Sequence, residues 1–263
     1  MIPEWVRGAL EALSEVWPDE PIYILGALAL ALQGRLGGRE TEDLDVTIAV
    51  DLEKMRETMS AAPRWRAVER RPHRWVHDSG AIVDILPSAL DLIASGRIRW
   101  PDSGVEMSLQ GFGMLHAESI PLDPDWNPDI LVASVPTVAV LKVFAYLDRP
   151  HEREKDLRDL AYLFDNYVGV DEDRLYTGEA AEEGLFDVEA STWLLGYDIG
   201  RCIPDREYEV FVAFLAGVLS EQDVLRTSEK LASRGPVSWG ADVEVALERV
   251  RLLLRGLEAG RVD

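Results

Sequence analysis

The sequence has one cysteine and lacks any long apolar run. Cys202 has no partner for an internal disulfide, as is typical of a reducing compartment, and we interpret it as a core residue. The longest apolar run, Ile22 to Leu32, is shorter than the about 20 residues that a membrane helix needs. No basic stretch precedes an apolar one at the start of the sequence. We therefore expect a cytoplasmic protein without a membrane partner.

Several common signatures are also missing. The sequence contains no G-x-x-x-x-G-K-[ST] loop, G-x-G-x-x-G fingerprint or G-x-S-x-G elbow, so P-loop, Rossmann and α/β-hydrolase sites lack their central residues. His73 and His77 have a spacing that suits zinc on a helix, but Pro72 and the Trp75-Val76 pair favour a strand, and no third ligand is evident. We predict no zinc site.

Basic side chains are scarce relative to acidic ones. The 27 Lys and Arg residues face 48 Asp and Glu residues, which gives a net charge of −21. Such a charge repels polyanions and disfavours broad nonspecific binding of nucleic acids, although an acidic surface also serves solubility alone. An apolar content of 47% with 29% charged residues is typical of a folded protein, and 263 residues suit one large domain or a catalytic domain with an appended one.

Hydrophobic periodicity divides the sequence into two parts. Helices and strands alternate in the first part, with strands predicted at 22–25, 45–50, 65–70, 74–77 and 81–86. After Pro136 the pattern is helical, with helices predicted at 137–147, 154–167, 188–201, 208–219 and 243–257. Proline clusters between 124 and 130. We predict an α/β (α+β) fold, with a small mixed sheet in residues 1–127 and a mainly helical domain in residues 128–263.

Three aspartates in the first part indicate a metal site. Asp43 and Asp45 are two residues apart where a loop becomes a strand, so their side chains share one face and can hold a divalent ion. Asp84 lies in the apolar run 81–86, where a carboxylate needs a cation. If the two strands adjoin, Asp43, Asp45 and Asp84 converge as ligands for Mg²⁺ or Mn²⁺. Alternatively, the Asp43–Asp45 pair is a solvated turn and Asp84 pairs with a core arginine.

A glycine turn precedes these aspartates. Gly26 and Ala27 lie where a strand meets a helix, so their backbone N–H groups can receive phosphate. A phosphate pocket beside a metal site implies a nucleoside triphosphate. The alternative is that Gly26 only closes a tight turn.

Two motifs together resemble a known family. The segments YILGALAL (23–30) and RETEDLDV (39–46) look like the signature of the polymerase-beta-like nucleotidyltransferases, particularly the AbiEii/AbiGii toxin family. Lys142, Arg149 and the segment KDLRD (155–159) resemble that family's downstream pattern. Only four lysines occur in the chain and two lie in this second motif, which suggests that a compact ammonium is required there.

The resemblance implies a reaction and a set of site residues. The reaction is transfer of a nucleoside monophosphate from a triphosphate to an acceptor hydroxyl, on a tRNA 3′ end or a protein, by the toxin of a toxin–antitoxin pair that has a cognate antitoxin. The catalytic residues implied are Asp43, Asp45, Asp84, Lys142 and Asp156, the last two from the helical domain. The nucleotide-binding residues implied are Gly26, Ala27, Arg39, Thr41 and Arg149.

The sequence also leaves alternatives. Lys142 lies on an otherwise apolar helix, where it can extend to solvent while Asp156 pairs locally. Ala27 replaces the second residue of the family's Gly-Ser or Gly-Gly turn, which leaves only backbone donors for phosphate. The alternative function is a catalytically silent nucleotide-binding or interaction module on the same fold. Residues 168–263 carry no specific functional signal.

Overall fold

The computed structural model describes residues 2–38, 41, 43–169 and 172–262. The chain forms two compact units. Unit 1 consists of Met1–Gly34 and Gly38–Ser134, and unit 2 consists of Arg35–Gly37 and Val135–Asp263.

Unit 1 contains five helices and nine strands in its described residues. The helices are α1 (Glu4–Val16), α2 (Gly26–Leu32), α3 (Leu52–Ala61), α4 (Leu90–Ser95) and α5 (Phe112–Glu118). The strands are β1 (Ile22–Leu25), β2 (Asp43–Ile48), β3 (Trp65–Val68), β4 (Arg71–His77), β5 (Ile82–Pro87), β6 (Arg97–Arg99), β7 (Glu106–Ser108), β8 (Ser119–Asp123) and β9 (Asn127–Ala133). Strands β6 and β7 form a separate two-stranded sheet.

The main sheet has seven strands in the order β3-β4-β5-β2-β1-β9-β8. Two neighbouring pairs, β1–β9 and β2–β5, are parallel, and the other four pairs are antiparallel. Every residue of β1 is buried, as its uniformly apolar sequence requires. In β2, by contrast, the half-buried Asp43 and Asp45 alternate with the buried Leu44 and Val46. Because successive side chains of a strand point to opposite faces, the two aspartates share one face.

The predicted mixed sheet is confirmed, and it is larger than expected. The five predicted strands are present, while β6, β7, β8 and β9 were not predicted. Unit 1 ends at Ser134, later than the predicted boundary after residue 127, because β9 occupies Asn127–Ala133. Pro128 is compatible with this strand, since pairing with β1 begins only at Ile130 and the missing N–H falls outside that pairing.

Unit 2 is helical in its described residues, as predicted. Its α-helices are α6 (Val135–Asp148), α7 (Glu154–Asn166), α8 (Glu179–Glu182), α9 (Asp187–Cys202), α10 (Asp205–Leu219), α11 (Thr227–Arg234) and α12 (Val243–Val262). Two short 3-10 helices lie at Asp173–Leu175 and Val237–Trp239. In the described part of the chain, no helix is both long enough and apolar enough to span a membrane.

Helices α9 and α12 contact each other backbone to backbone. Gly196 and Gly200 of α9 lie against the backbone of α12 at Leu253 and Leu257, and Gly256 and Gly260 of α12 lie against the backbone of α9 at Trp193 and Tyr197. A Cβ atom at Gly256 would lie only 2.0 Å from the carbonyl oxygen of Trp193. Each of the four positions therefore admits only hydrogen as a side chain. In the sequence, the two G-x-x-x-G spacings were the only indication of a close helix contact that we could identify. Such a spacing lies within one helix and does not show which helix packs against it.

This contact predicts the effect of adding one methyl group. We expect Gly256→Ala to lower the free energy of unfolding by about 3 kcal/mol or more, because the two helices must separate. Gly217→Ala is the matched control in the same unit, since in the described part of the chain no heavy atom beyond its chain neighbours and its own helix backbone lies within 4 Å of the added Cβ. The control should be neutral or stabilising by up to about 1 kcal/mol. Urea denaturation measures both, and equal effects would contradict the close contact.

Candidate functional site

Strands β2 and β5 bring the three predicted aspartates to one face of the sheet. The two strands pair in parallel, with Asp45 directly opposite Asp84 and Asp43 opposite Ile82. Paired strands lie about 4.8 Å apart, so the carboxylates of Asp45 and Asp84 are neighbours. The condition on which the three-carboxylate hypothesis depended, adjacency of the two strands, is thus met.

The turn at Gly26 lies against Asp45. Leu25 is opposite Asp45 in the β1–β2 pairing, and Gly26, the next residue, has a φ of +70°. A Cβ atom at Gly26 would lie 2.3 Å from Oδ2 of Asp45. The aspartate therefore occupies the space that a side chain at position 26 would need. Both the backbone angle and this contact require glycine.

Arg74 of β4 binds two of the three aspartates. Its Nε donates a hydrogen bond to Oδ1 of Asp84 at 2.7 Å. Its Nη2 donates to Oδ2 of Asp84 at 2.7 Å and to Oδ2 of Asp43 at 2.9 Å. The hydrogen bonds with Asp84 are the chief reason that the pKa of Arg74 is raised above its ordinary value. The guanidinium thus links β2 and β5 from the neighbouring strand.

Sequence reasoning did not identify Arg74, although it allowed that Asp84 pairs with a core arginine. That pairing occurs in the structure. Arg74 and Asp84 are directly opposite in the antiparallel β4–β5 pair and equally distant in sequence from Ser79 in the turn. Folding the hairpin about this turn would have placed them together.

The three aspartates suit a hard divalent cation in donor type, because carboxylate oxygens are the ligands that Mg²⁺ prefers. Their register also gathers them on one face. Within residues 2–38, 41, 43–169 and 172–262, however, no group of three or more His, Cys, Asp or Glu side chains is arranged to hold a metal ion. Arg74 instead contacts Asp43 and Asp84.

The predicted nucleotide-binding residues are distributed over several segments. Thr41 donates its hydroxyl to the carbonyl oxygen of Asp43 at 3.3 Å, at the start of β2. Arg39 lies outside the described residues. Arg149 follows the end of α6 in unit 2. Its Nε lies 3.5 Å from Oδ2 of Asp148, and its Nη1 lies 4.0 Å from Oε2 of Glu152.

A buried ion cluster surrounds Lys142 in unit 2. The Nζ atom of Lys142 lies 3.0 Å from Oδ1 of Asp156 and 2.6 Å from Oδ2 of Asp159. The side chains of Lys142, Asp156 and Asp159 are only 6%, 6% and 2% exposed. Burial lowers the pKa of Lys142, but the two carboxylates outweigh burial and raise its pKa above the ordinary value. Lys142 is therefore a buried ammonium and does not extend to solvent.

The cluster matches the second family-like motif. Asp156 and Asp159 are three residues apart on α7, so they share one face of the helix. Sequence reasoning named Asp156 as a site residue and did not name Asp159, although the K-D-x-x-D spacing was the signal for both. Among the described residues, none donates a hydrogen bond to the buried Oδ2 atom of Asp156, and Nη1 of Arg153 is 3.9 Å from it.

Comparison with known proteins places these motifs in a family. A family model described as "Nucleotidyl transferase AbiEii toxin, Type IV TA system" matches residues 8–191. One similar solved structure is that of a nucleotidyltransferase candidate from H. pylori, at 15% identity and a TM-score of 0.34, with 96% of this chain and 94% of that chain covered. We draw no conclusion from a likeness at that level. No curated protein sequence matches the chain.

The matched region contains Gly26, the aspartates of β2 and β5, and the Lys142 cluster. It also extends over well more than half of the sequence. This chain therefore belongs to the AbiEii family of nucleotidyltransferase toxins of type IV toxin–antitoxin systems.

Proposed function

We propose that this protein is a metal-dependent nucleotidyltransferase that moves a nucleoside monophosphate from a nucleoside triphosphate to an acceptor hydroxyl. The observation that carries the proposal is the register of β1, β2 and β5, which gathers Asp43, Asp45 and Asp84 beside the Gly26 turn. Family membership supports the same reaction class. We further propose that the protein acts in the cytoplasm as the toxin of a pair, with a cognate antitoxin as partner.

Asp43, Asp45 and Asp84 would hold Mg²⁺ or Mn²⁺. When bound, such an ion activates the attacking hydroxyl and neutralises charge on the departing pyrophosphate. The Gly26 turn lets the phosphates approach the backbone, with N–H groups as donors because Ala27 has no hydroxyl. From the family pattern we also propose that Arg149 contacts phosphates and that Asp156 takes part in the reaction. The phosphate contact that the same pattern assigns to Lys142 would require its ammonium to leave the buried pairing with Asp156 and Asp159.

The acceptor is proposed to be a tRNA 3′ end or a protein. The net charge of −21 gives no general attraction for RNA, so an RNA acceptor would have to be recognised by local contacts. A protein acceptor with basic surface would be attracted by the same charge. Incubation with labelled triphosphate and separate pools of tRNA and protein distinguishes the two.

The second candidate is a catalytically silent nucleotide-binding module. The observation that favours it is Arg74, which gives Asp43 and Asp84 a structural role as ion-pair partners. Calorimetry with the four triphosphates, with and without magnesium, separates the candidates. Binding without transfer to any acceptor would support the silent module.

The metal-ligand proposal predicts loss of activity when charge is removed from β2. The double variant Asp43→Asn with Asp45→Asn should reduce incorporation of labelled nucleotide by about a hundredfold or more, because the site loses two of the negative charges that bind the ion. Asp91→Asn with Asp129→Asn is the matched control, since both residues are exposed and lie in the same unit. Retained transfer by the β2 variant would contradict the ligand assignment.

The Gly26 contact predicts a separable effect on activity. Gly26 and Gly34 both have a φ of +70°, but only Gly26 is close to another side chain, that of Asp45. Alanine at either position should destabilise the protein by about 1–2 kcal/mol through the backbone angle. Gly26→Ala should in addition displace Asp45 and abolish most of the transfer activity.

Thermal denaturation and nucleotide incorporation measure the two effects. Gly34→Ala should keep normal activity at a temperature at which it remains folded. If both variants lose activity in proportion to stability alone, Asp45 does not depend on the Gly26 turn.

A further inference from the structure

Arg74 contacts the atoms that a metal ion would need. Three of the four carboxylate oxygens of Asp43 and Asp84 accept hydrogen bonds from its guanidinium. Its side chain is 17% exposed, so water screens these contacts only in part. A guanidinium stays protonated in proteins, so the charge of Arg74 is permanent.

A divalent ion and this guanidinium compete for the same oxygens. Magnesium binds carboxylate oxygens at about 2.1 Å, whereas the nitrogens of Arg74 lie 2.7 to 2.9 Å from them. Both cations on one oxygen would place like charges within about 5 Å of each other in a partly buried site. Each cation therefore weakens the binding of the other to these oxygens.

We propose that Arg74 is a built-in competitor for the divalent ion, which must release the guanidinium from Asp43 and Asp84 in order to bind. The inference rests on the proposed function, because it takes these aspartates as metal ligands. The competition keeps the carboxylates paired until a cation of higher charge arrives. It also sets the metal concentration at which the enzyme becomes active.

The position of Arg74 permits this exchange. The three hydrogen bonds to Asp43 and Asp84 are made by side-chain atoms, so rotation about side-chain bonds breaks them without a change in the β4–β5 pairing. His73 approaches Asp84 as well, with 4.0 Å between Nε2 and Oδ2. The backbone pairing thus keeps Asp84 in register while its charge partner changes.

The test is the affinity of the full-length protein for Mn²⁺, measured by electron paramagnetic resonance of the free ion without nucleotide. We expect Arg74→Ala to bind Mn²⁺ about fivefold or more tightly than the unmodified protein. Arg97→Ala is the matched control, because it removes the same charge from an exposed pair with Glu106 in the same unit. The control should bind as the unmodified protein does.

Unchanged or weaker binding by Arg74→Ala would overturn the proposal, and weaker binding would show that Arg74 orients the ligands. If Arg74→Ala does not fold, Arg74→Lys provides the test, because an ammonium cannot bridge both carboxylates as the guanidinium fork does. It should bind Mn²⁺ more tightly than the unmodified protein, and equal or weaker binding would overturn the proposal.

A parallel transfer assay separates this inference from the proposed function. Tighter Mn²⁺ binding by Arg74→Ala, without nucleotide transfer by the unmodified protein, would support competition by Arg74 and contradict the proposed transferase function. Transfer by the unmodified protein, with the same Mn²⁺ affinity in Arg74→Ala, would support the transferase function and contradict competition by Arg74. Absence of Mn²⁺ binding in both proteins would overturn the competition.

Discussion

The pairing of half-buried or buried carboxylates with a single cation is the constraint that both units share. In unit 1, Arg74 forms ion pairs with Asp43 and Asp84. In unit 2, Lys142 forms ion pairs with Asp156 and Asp159. Each arrangement places two carboxylates on one central cation. Such clusters contribute little net stability, yet removal of Lys142 would leave the buried charges of Asp156 and Asp159 uncompensated, and removal of Arg74 would do the same for Asp84.

The two cations differ in a way that suits their positions. Arg74 must reach across two strands, and its planar fork makes several directed hydrogen bonds at once. Lys142 lies between two carboxylates of one helix face, where a compact ammonium is sufficient. The scarcity of lysine in the sequence is consistent with selection of that residue at this position.

Much of the fold was predictable because hydrophobic periodicity is a local property. The β-branched residues of 45–50 and the apolar run 22–25 predicted β2 and β1, and helical spacing predicted the large helices of unit 2. Strand β9 was missed because Pro128 was interpreted as part of a linker, and proline is excluded only from the paired part of a strand. Arg74 was missed because its pairing with Asp84 depends on the register between β4 and β5. That register cannot be derived from the sequence of one strand alone.

The glycine contact between α9 and α12 has a consequence for how the family relates to the folded molecule. The family match ends at residue 191, whereas all four contact glycines lie beyond it. The matched residues stop inside α9, and α12, whose backbone touches that of α9, lies wholly beyond them. A fragment cut at residue 191 would therefore lack all four glycines and would leave the remaining turn of α9 without the helix that packs against it.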